Sequence, residues 1–304
     1  MSARDSSRLS SWWKLLRPTQ WVKNGFVLAP LLFSHSYVDP HLLVKGLIAL
    51  AAFCLVSSAV YALNDICDLR EDQAHPDKQK RPLTCGDLRV SQAVISVILM
   101  TIVALLVGAL LGWKFEVVLL CYLLLNVLYS MGGKHLPILD VMFIAAGFVL
   151  RVLAGAVAIK VLPSHWIILC TFMISMFLGF TKRRAEMTAV ESTGEAGRTV
   201  LKHYSVAFLD QAIAMMTAVT LMCYALYTVD DRTVDYFGSR AMLITVPSVM
   251  YGLFRYIYVI YRLDKGKDPT ATLTRDWPSM VNLAAWILIV AMVIRYGRQW
   301  AEWL

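Results

Sequence analysis

Long apolar runs separated by short polar stretches make up most of the chain. We count about nine runs that approach or exceed the roughly 18 residues that a membrane-spanning helix needs. They cover approximately residues 25–38, 42–63, 90–111, 115–131, 138–159, 164–180, 207–228, 241–261 and 279–296. The first run is short and contains Pro30, so its limits are the least defined. The pattern predicts an all-α polytopic membrane protein with about nine transmembrane helices.

No polar linker divides these runs, so we expect a single transmembrane domain over residues 1–304. Residues 1–23 precede the first run and combine aromatic with basic side chains, among them Trp12, Trp13, Lys14, Trp21 and Lys23. This mixture is typical of a helix that lies in the membrane interface. The first residues are polar and lack the apolar core and small-residue cleavage site of a signal peptide.

Composition and charge agree with a membrane location. Hydrophobic residues make up 58% of the 304 residues, charged residues only 16%, and the mean hydropathy is +0.60. With nine spans, 20 Lys and Arg fall in one alternating set of segments and seven in the other. The positive-inside rule then predicts a multi-pass protein of the inner (cell) membrane, with a cytoplasmic N-terminus and an external C-terminus. A solvated basic domain that would bind nucleic acid is absent from this pattern.

Three aspartates and an asparagine follow the second apolar run, in the pattern N-D-x-x-D-x-x-x-D. Asn64, Asp68 and Asp72 are spaced by four residues and Asp65 lies seven before Asp72, so on a helix these positions share a face. Acidic residues at a membrane boundary are costly unless something neutralises them. Mg²⁺ would neutralise them if a few of these oxygens bound it and phosphates completed its coordination shell. The motif therefore predicts a cytoplasmic site for a Mg–diphosphate. The alternative is a helix end whose acids face water and pair with nearby cations.

Basic residues follow the acidic motif and suit phosphate. Lys78 and Arg81 are candidates for this role, since Arg binds phosphate in a bidentate manner and Lys acts as a point charge. Tyr61 lies three residues before Asn64 and would donate its hydroxyl from the same face, or serve as an interfacial tyrosine. Lys134 follows two glycines at the end of the fourth apolar run and would bind an anion or act as a snorkelling anchor.

Two further groups of charges lie deeper in the sequence. Arg151 is inside the fifth apolar run, where a charge marks a ligand, a pathway or a partner. It would bind an anionic group of the substrate, or form a buried pair with a carboxylate such as Asp140 or Glu186. Lys182 and Arg183 close the sixth run and would hold a phosphate, although Lys182 and Glu186 are also spaced to pair with each other.

Common soluble-enzyme motifs are missing. The chain has no Ser-His-Asp arrangement, H-E-x-x-H, P-loop or dinucleotide fingerprint. Its six cysteines show no C-x-x-C spacing, which argues against a disulfide framework or a zinc site.

Taken together, these motifs resemble the UbiA superfamily of intramembrane prenyltransferases, whose spans surround a central cavity. The resemblance covers essentially the whole chain and is carried by R-P-x-Q-W-V-K-N from Arg17, S-A-V-Y-x-x-N-D-x-x-D from Ser58, and H-P-x-K from His75. General members have a second acidic motif, whereas this chain has K-R-R-A-E from Lys182. In this departure the chain resembles the phosphoribosyltransferase branch of the superfamily, the decaprenyl-phosphate phosphoribosyltransferases.

The resemblance implies a Mg²⁺-dependent enzyme. It would transfer 5-phosphoribosyl from 5-phosphoribosyl-1-diphosphate (PRPP) to a polyprenyl phosphate, to supply arabinofuranose donors for cell-wall arabinan or other glycans. Its implied metal ligands are Asn64, Asp68 and Asp72, and its catalytic acids are Asp65, Asp68 and Asp72. The implied substrate-binding residues are Lys23, Tyr61, Lys78, Arg81, Lys134, Arg151, Lys182, Arg183 and Glu186.

Two competing functions remain open at this point. One is a UbiA-type aromatic prenyltransferase that uses a polyprenyl diphosphate in the same metal site. The other is a non-enzymatic lipid-phosphate transporter, in which the acids end a helix and Arg151 forms a structural pair. A homo-oligomer is compatible with a compact helical bundle, but no residue pattern specifies one.

Overall fold

A computed structural model describes residues 3–34, 36–73, 79–193, 199–263 and 276–300, and every regular element in these ranges is helical. The α-helices are α1 (Ala3–Leu16), α2 (Ala29–Phe33), α3 (Pro40–Cys67), α4 (Leu69–Gln73), α5 (Val90–Ala109), α6 (Trp113–Met131), α7 (Leu139–Ala158), α8 (His165–Thr193), α9 (Val206–Val229), α10 (Asp231–Phe237), α11 (Val246–Leu263) and α12 (Trp277–Trp300). Short 3₁₀ helices cover Pro18–Leu28, Ser36–Val38, Gly133–His135, Thr199–His203 and Ala241–Thr245.

Eight helices within the described ranges are long and apolar enough to cross a membrane. They correspond to the second to ninth predicted runs, and the prediction of an all-α polytopic membrane fold is confirmed. Most ends agree with the predicted runs within a few residues. The exception is α8, which continues to Thr193, well past the predicted end at 180.

The first predicted run differs from the expectation in both position and geometry. The run over 25–38, predicted as a short span interrupted by Pro30, does not form one helix: Pro18–Leu28 is a 3₁₀ helix, followed by only five α-helical residues in α2. The predicted interfacial helix also ends earlier, at Leu16, because Arg17 adopts a left-handed conformation (φ 50°, ψ 57°) before Pro18. We call Pro18–Phe33 the 3₁₀ crossing.

Contacts show that this short segment runs the length of α3 in the opposite direction. Arg17, at its start, contacts Asp65, and Leu31, near its end, lies beside Gly46. The 19 residues from Gly46 to Asp65 of an α-helix rise about 28 Å, close to the ~30 Å thickness of a bilayer core. Fourteen residues match that length at about 2 Å each, which is the rise of a 3₁₀ helix and not of an α-helix. The segment therefore traverses the same distance as a long helix with fewer residues.

The chain forms two compact units, residues 1–164 and 165–304. In the first unit, the 3₁₀ crossing, α3, α6 and α7 share an apolar core that includes Val27, Phe53, Phe115, Leu119 and Ala154. In the second unit, α8 packs with α9 and α11 packs with α12. The prediction of one domain over 1–304 stays a prediction.

Polar contacts join the helices of the second unit. Arg255 of α11 forms a bidentate pair with Asp276, which precedes α12, with N–O distances of 3.0 and 2.8 Å. The hydrogen bonds from Arg255, supported by those from Ser279, hold the pKa of the Asp276 carboxyl below its usual range. Arg255 and Asp276 therefore form a structural ion pair between α11 and the start of α12.

Candidate functional site

The acidic motif lies where α3 ends. The helix stops at Cys67 and a new short helix begins at Leu69, so the motif does not occupy one continuous helix as the spacing predicted. Hydrogen bonds from the amide of Asp68 to Asn64 O and from the amide of Asp72 to Asp68 O, both 2.8 Å, preserve the helical spacing across the break. The four polar side chains therefore remain close in space.

Two arginines neutralise the buried acids of this motif. Asp65 is 3% exposed and Asp72 is 0% exposed. Oδ1 of Asp65 accepts hydrogen bonds from Arg17 Nη2 at 2.5 Å and from Arg81 Nη1 at 2.8 Å. The same Nη1 of Arg81 also donates to Asp72 Oδ2, so one guanidinium bridges acids that are seven residues apart. Neither guanidinium is fully buried, and each keeps about a quarter of its side chain exposed.

Arg17 reaches the acids because of the turn before the 3₁₀ crossing. Its left-handed backbone is uncommon for a residue other than glycine, and it redirects the chain from α1 into the crossing. Ser58 Oγ holds this turn by donating to Leu16 O at 2.8 Å. The guanidinium of Arg17 lies 5.3 Å from the ring centre of Tyr61, which is half-buried. Tyr61 is thus placed at the cluster, as its spacing predicted.

Asn64 and Asp68 contact residues at the end of α6 and in the 3₁₀ helix Gly133–His135 that precedes α7. Lys134 Nζ donates to Asp68 Oδ1, and Ser130 Oγ donates to Asn64 Oδ1. Gly133, the residue before Lys134, packs tightly against α7, since a Cβ there would lie 2.7 Å from the ring of Phe143. Lys134 therefore lies at the acidic cluster, and its role in binding an anion stays a prediction.

Arg151 is 5% exposed, and its described contacts are with uncharged groups of the first unit. Its guanidinium donates to Asn24 Oδ1 at 2.9 Å, to Gly147 O at 2.9 Å and to Tyr122 Oη at 2.8 Å. All three acceptors are neutral. Among the contacts of the described residues, an ion pair with Asp140 is not found, and the alternative pair with Glu186 belongs to the second unit and stays open.

The remaining predicted residues divide into three groups. Lys23 is half-buried on the 3₁₀ crossing. Lys78 lies outside the described residues. Lys182, Arg183 and Glu186 lie together on α8: Arg183 is 1% exposed and donates to Glu186 at 2.8 Å, whereas Lys182 is 4.0 Å from it. The expectation that this basic group faces the acidic motif stays a prediction.

Sequence reasoning gave no role to Arg17, Asn24 or Ser130, which the structure places in these networks. Arg17 and Asn24 were visible only as letters of a motif, R-P-x-Q-W-V-K-N. An available signal was the polar Asn24 directly before the first apolar run, which begins at Gly25.

The family model of the UbiA prenyltransferase family matches residues 25–283 of this chain. The chain belongs to the UbiA prenyltransferase family. Among curated UbiA relatives, the decaprenyl-phosphate phosphoribosyltransferase of Corynebacterium glutamicum is 32% identical over 92% of this chain and 86% of its own length. The protein of the same name from Mycobacterium tuberculosis is 29% identical over 93% of this chain and 94% of its own.

A solved structure gives independent support for the UbiA fold. The structure of a UbiA homolog from Archaeoglobus fulgidus, bound to GPP and Mg²⁺, superposes with a TM-score of 0.71. The match covers 94% of this chain and 99% of that chain at 19% sequence identity, so it supports the fold alone.

Proposed function

We propose that this protein transfers 5-phosphoribosyl from PRPP to a polyprenyl phosphate and releases diphosphate. The observation that carries the proposal is the cluster at the end of α3, where Asp65, Asp68 and Asp72 are interleaved with Arg17, Arg81 and Lys134. Such a cluster offers oxygens to a metal ion and cations to phosphates within one site. The printed names of full-length relatives supply the substrate class.

The donor set of the cluster fits Mg²⁺. Asn64 and Asp68 offer an amide and a carboxylate oxygen at the end of α3, and both side chains are half-buried rather than sealed. Mg²⁺ in phosphate sites is commonly held by one or two carboxylates, with phosphates and waters completing six positions. Among the described residues, no group of three or more His, Cys, Asp or Glu is arranged to hold an ion by itself. An ion bound by Asn64 and Asp68 would complete its shell with oxygens of the diphosphate and would neutralise the leaving group.

The buried acids suit a different task. Asp65 and Asp72 already accept hydrogen bonds from Arg17 and Arg81, which fixes the direction of both guanidinium groups. We assign Asp65 and Asp72 to orienting these arginines and Asn64 and Asp68 to the metal. The prediction of Asp72 as a metal ligand stays untested, and its contact with Arg81 favours the orienting role.

The reaction needs charge stabilisation more than proton transfer. An oxygen of the lipid phosphate would attack C1 of the ribose while the bond from C1 to the diphosphate breaks, with inversion at C1. That oxygen is already anionic, so no strong general base is required. Arg17, Arg81 and Lys134 would hold the diphosphate where its charge increases, together with Lys23 and Tyr61 as further donor-side contacts. Lys78, Lys182, Arg183 and Glu186 remain candidates for the other phosphate groups.

We place the site on the cytoplasmic face of the inner membrane, with a cytoplasmic N-terminus and an external C-terminus, because of the Lys and Arg asymmetry. The product would be a polyprenyl-phosphoryl-phosphoribose, a suitable precursor of arabinofuranose donors.

The deciding experiment incubates the purified protein in detergent with Mg²⁺, labelled PRPP and polyprenyl phosphate, then separates the lipids. We expect a labelled lipid that disappears when Mg²⁺ is removed by a chelator. Transfer of prenyl to an aromatic acceptor, with no labelled lipid from PRPP, would favour the prenyltransferase alternative. Absence of any turnover, with binding of polyprenyl phosphate retained, would favour a transporter.

A further inference from the structure

A buried polar pair joins four elements of the first unit. Asn24, on the 3₁₀ crossing, is 0% exposed. Its Oδ1 accepts from Arg151 Nε of α7, and its Nδ2 donates to Ser57 Oγ of α3 at 2.9 Å. Arg151 in turn donates to Tyr122 of α6. Buried polar groups of this kind are costly when their partners are lost, so the pair fixes the position of the 3₁₀ crossing along α3.

The position of the 3₁₀ crossing along α3 determines which of its residues contact the acidic cluster. Going from Asn24 toward the N-terminus, Trp21 Nε1 donates to Ser58 Oγ at 3.0 Å and Arg17 then meets Asp65. A slip of one residue moves the segment by about 2 Å, which exceeds the tolerance of a hydrogen bond. The contact between Arg17 and Asp65 therefore depends on the register that Asn24 sets.

The geometry of Arg151 argues against direct contact with substrate. Three of its N–H groups are directed at neutral acceptors within the unit, and its guanidinium lies 4.9 Å from the ring centre of Tyr122 and 5.1 Å from that of Phe148. The side chain is thus enclosed by aromatic rings and helix backbone. An arginine held in this way orients its neighbours.

We propose that Asn24 and Arg151 are positioning residues for the phosphoribosyl donor. They fix the register of the 3₁₀ crossing against α3 and α7, and through it they place Arg17 and Lys23 at the diphosphate. The inference rests on the proposed function, since it names which substrate the pair serves. The lipid phosphate is not expected to depend on this register in the same way.

The test compares variants of Asn24 by steady-state kinetics with each substrate varied in turn. Asn24→Leu keeps similar volume but removes both polar contacts, and we expect the KM for PRPP to rise about tenfold, the loss of one charge-assisted hydrogen bond. The KM for polyprenyl phosphate should change less than about twofold. Asn24→Asp keeps an acceptor for Arg151 and should restore most of the affinity for PRPP. Gly25→Ala, on the same 3₁₀ crossing with nothing within 4 Å of the added Cβ, is the matched control and should behave like the wild type.

Binding of Mg–PRPP by calorimetry provides a second readout that does not need turnover. A weaker binding constant in Asn24→Leu, with wild-type binding in Asn24→Asp, supports the positioning role. An unchanged KM and binding constant for PRPP, with only a lower melting temperature, would show that the pair is merely structural and overturn the inference. If Asn24→Leu does not fold, Arg151→Lys replaces it, because lysine cannot reach the three acceptors together. A wild-type protein that binds Mg–PRPP but makes no lipid product would contradict the proposed function and not this inference.

Discussion

Gly155 of α7 is the position where a single methyl group should do the most damage. A Cβ placed there would lie 1.8 Å from Val27 O and 2.8 Å from Val27 C of the 3₁₀ crossing. Both atoms belong to backbone, so no side chain can rotate away. Since real Cβ contacts essentially never fall below 3.0 Å, Gly155→Ala must move the crossing away from α7 by at least 1.2 Å.

The energetic cost has two parts. Overpacking of a well-packed core costs roughly 1–3 kcal/mol. The same displacement pulls Asn24, three residues from Val27, away from Arg151, and a hydrogen bond to a charged group contributes about 1.5–3 kcal/mol. Because the second bond is weakened and not removed, we expect a total loss of about 3 kcal/mol. For a chain of this size the melting temperature should fall by roughly 5–10 °C.

This loss is measured as the melting temperature of the detergent-solubilised protein, with size-exclusion chromatography after heating to quantify the folded fraction. Gly25→Ala is the matched control, because Gly25 is on the same 3₁₀ crossing and a Cβ there meets nothing within 4 Å. The control should melt with the wild type. Equal melting of Gly155→Ala and Gly25→Ala would refute the close approach of the crossing to α7.

Three other outcomes are expected. Asp68→Ala should abolish phosphoribosyl transfer in the radiolabel assay while the protein stays folded, because Asp68 is half-buried and lies at a helix end; near-normal rates would reject the metal assignment. Arg183→Met should lower the melting temperature strongly, since it strips a buried cation from Glu186, whereas Lys182→Met, whose side chain is 35% exposed, should change it little; equal effects would contradict the pairing. The pKa of Asp276 is lower in the folded than in the unfolded protein, so the Arg255–Asp276 pair stabilises the fold above about pH 4 and loses this effect as the pH falls. Between pH 6 and 3, the melting temperature of the wild type should therefore decline more steeply with acid than that of Asp276→Asn.

Hydropathy was enough to predict the long helices, because a lipid environment demands about 20 apolar residues for each α-helical span. The same reasoning failed at the 3₁₀ crossing, where the rise per residue over Pro18–Leu28 is larger and fewer residues cover the distance. Window-based reasoning assumes one rise per residue. A local change of helix type is decided by packing against α3 and α7, which hydropathy does not contain.

The structure brings Tyr61, Arg81 and Lys134, three of the predicted substrate-binding residues, to the acidic motif, and their roles in binding stay predictions. Spacing could not assign partners. Arg151 was predicted to bind an anion or a carboxylate, because a charge in a membrane is costly, and the sequence did not indicate its contacts with Asn24, Gly147 and Tyr122. Neutral oxygens and aromatic rings from distant parts of the chain leave no periodic trace.

The 3₁₀ crossing also changes the parity of the first unit. Counting only the long helices α3, α5, α6 and α7 gives an even number of segments, and residues 17 and 159 would then lie at the same end of the unit. The 3₁₀ crossing makes the number odd: Arg17 lies with Asp65 at one end, whereas Gly155 lies beside Val27 toward the other. Lengthening this segment into an ordinary α-helix would require about five more residues for the same ~28 Å, so insertions here should be tolerated less well than in any loop of the unit.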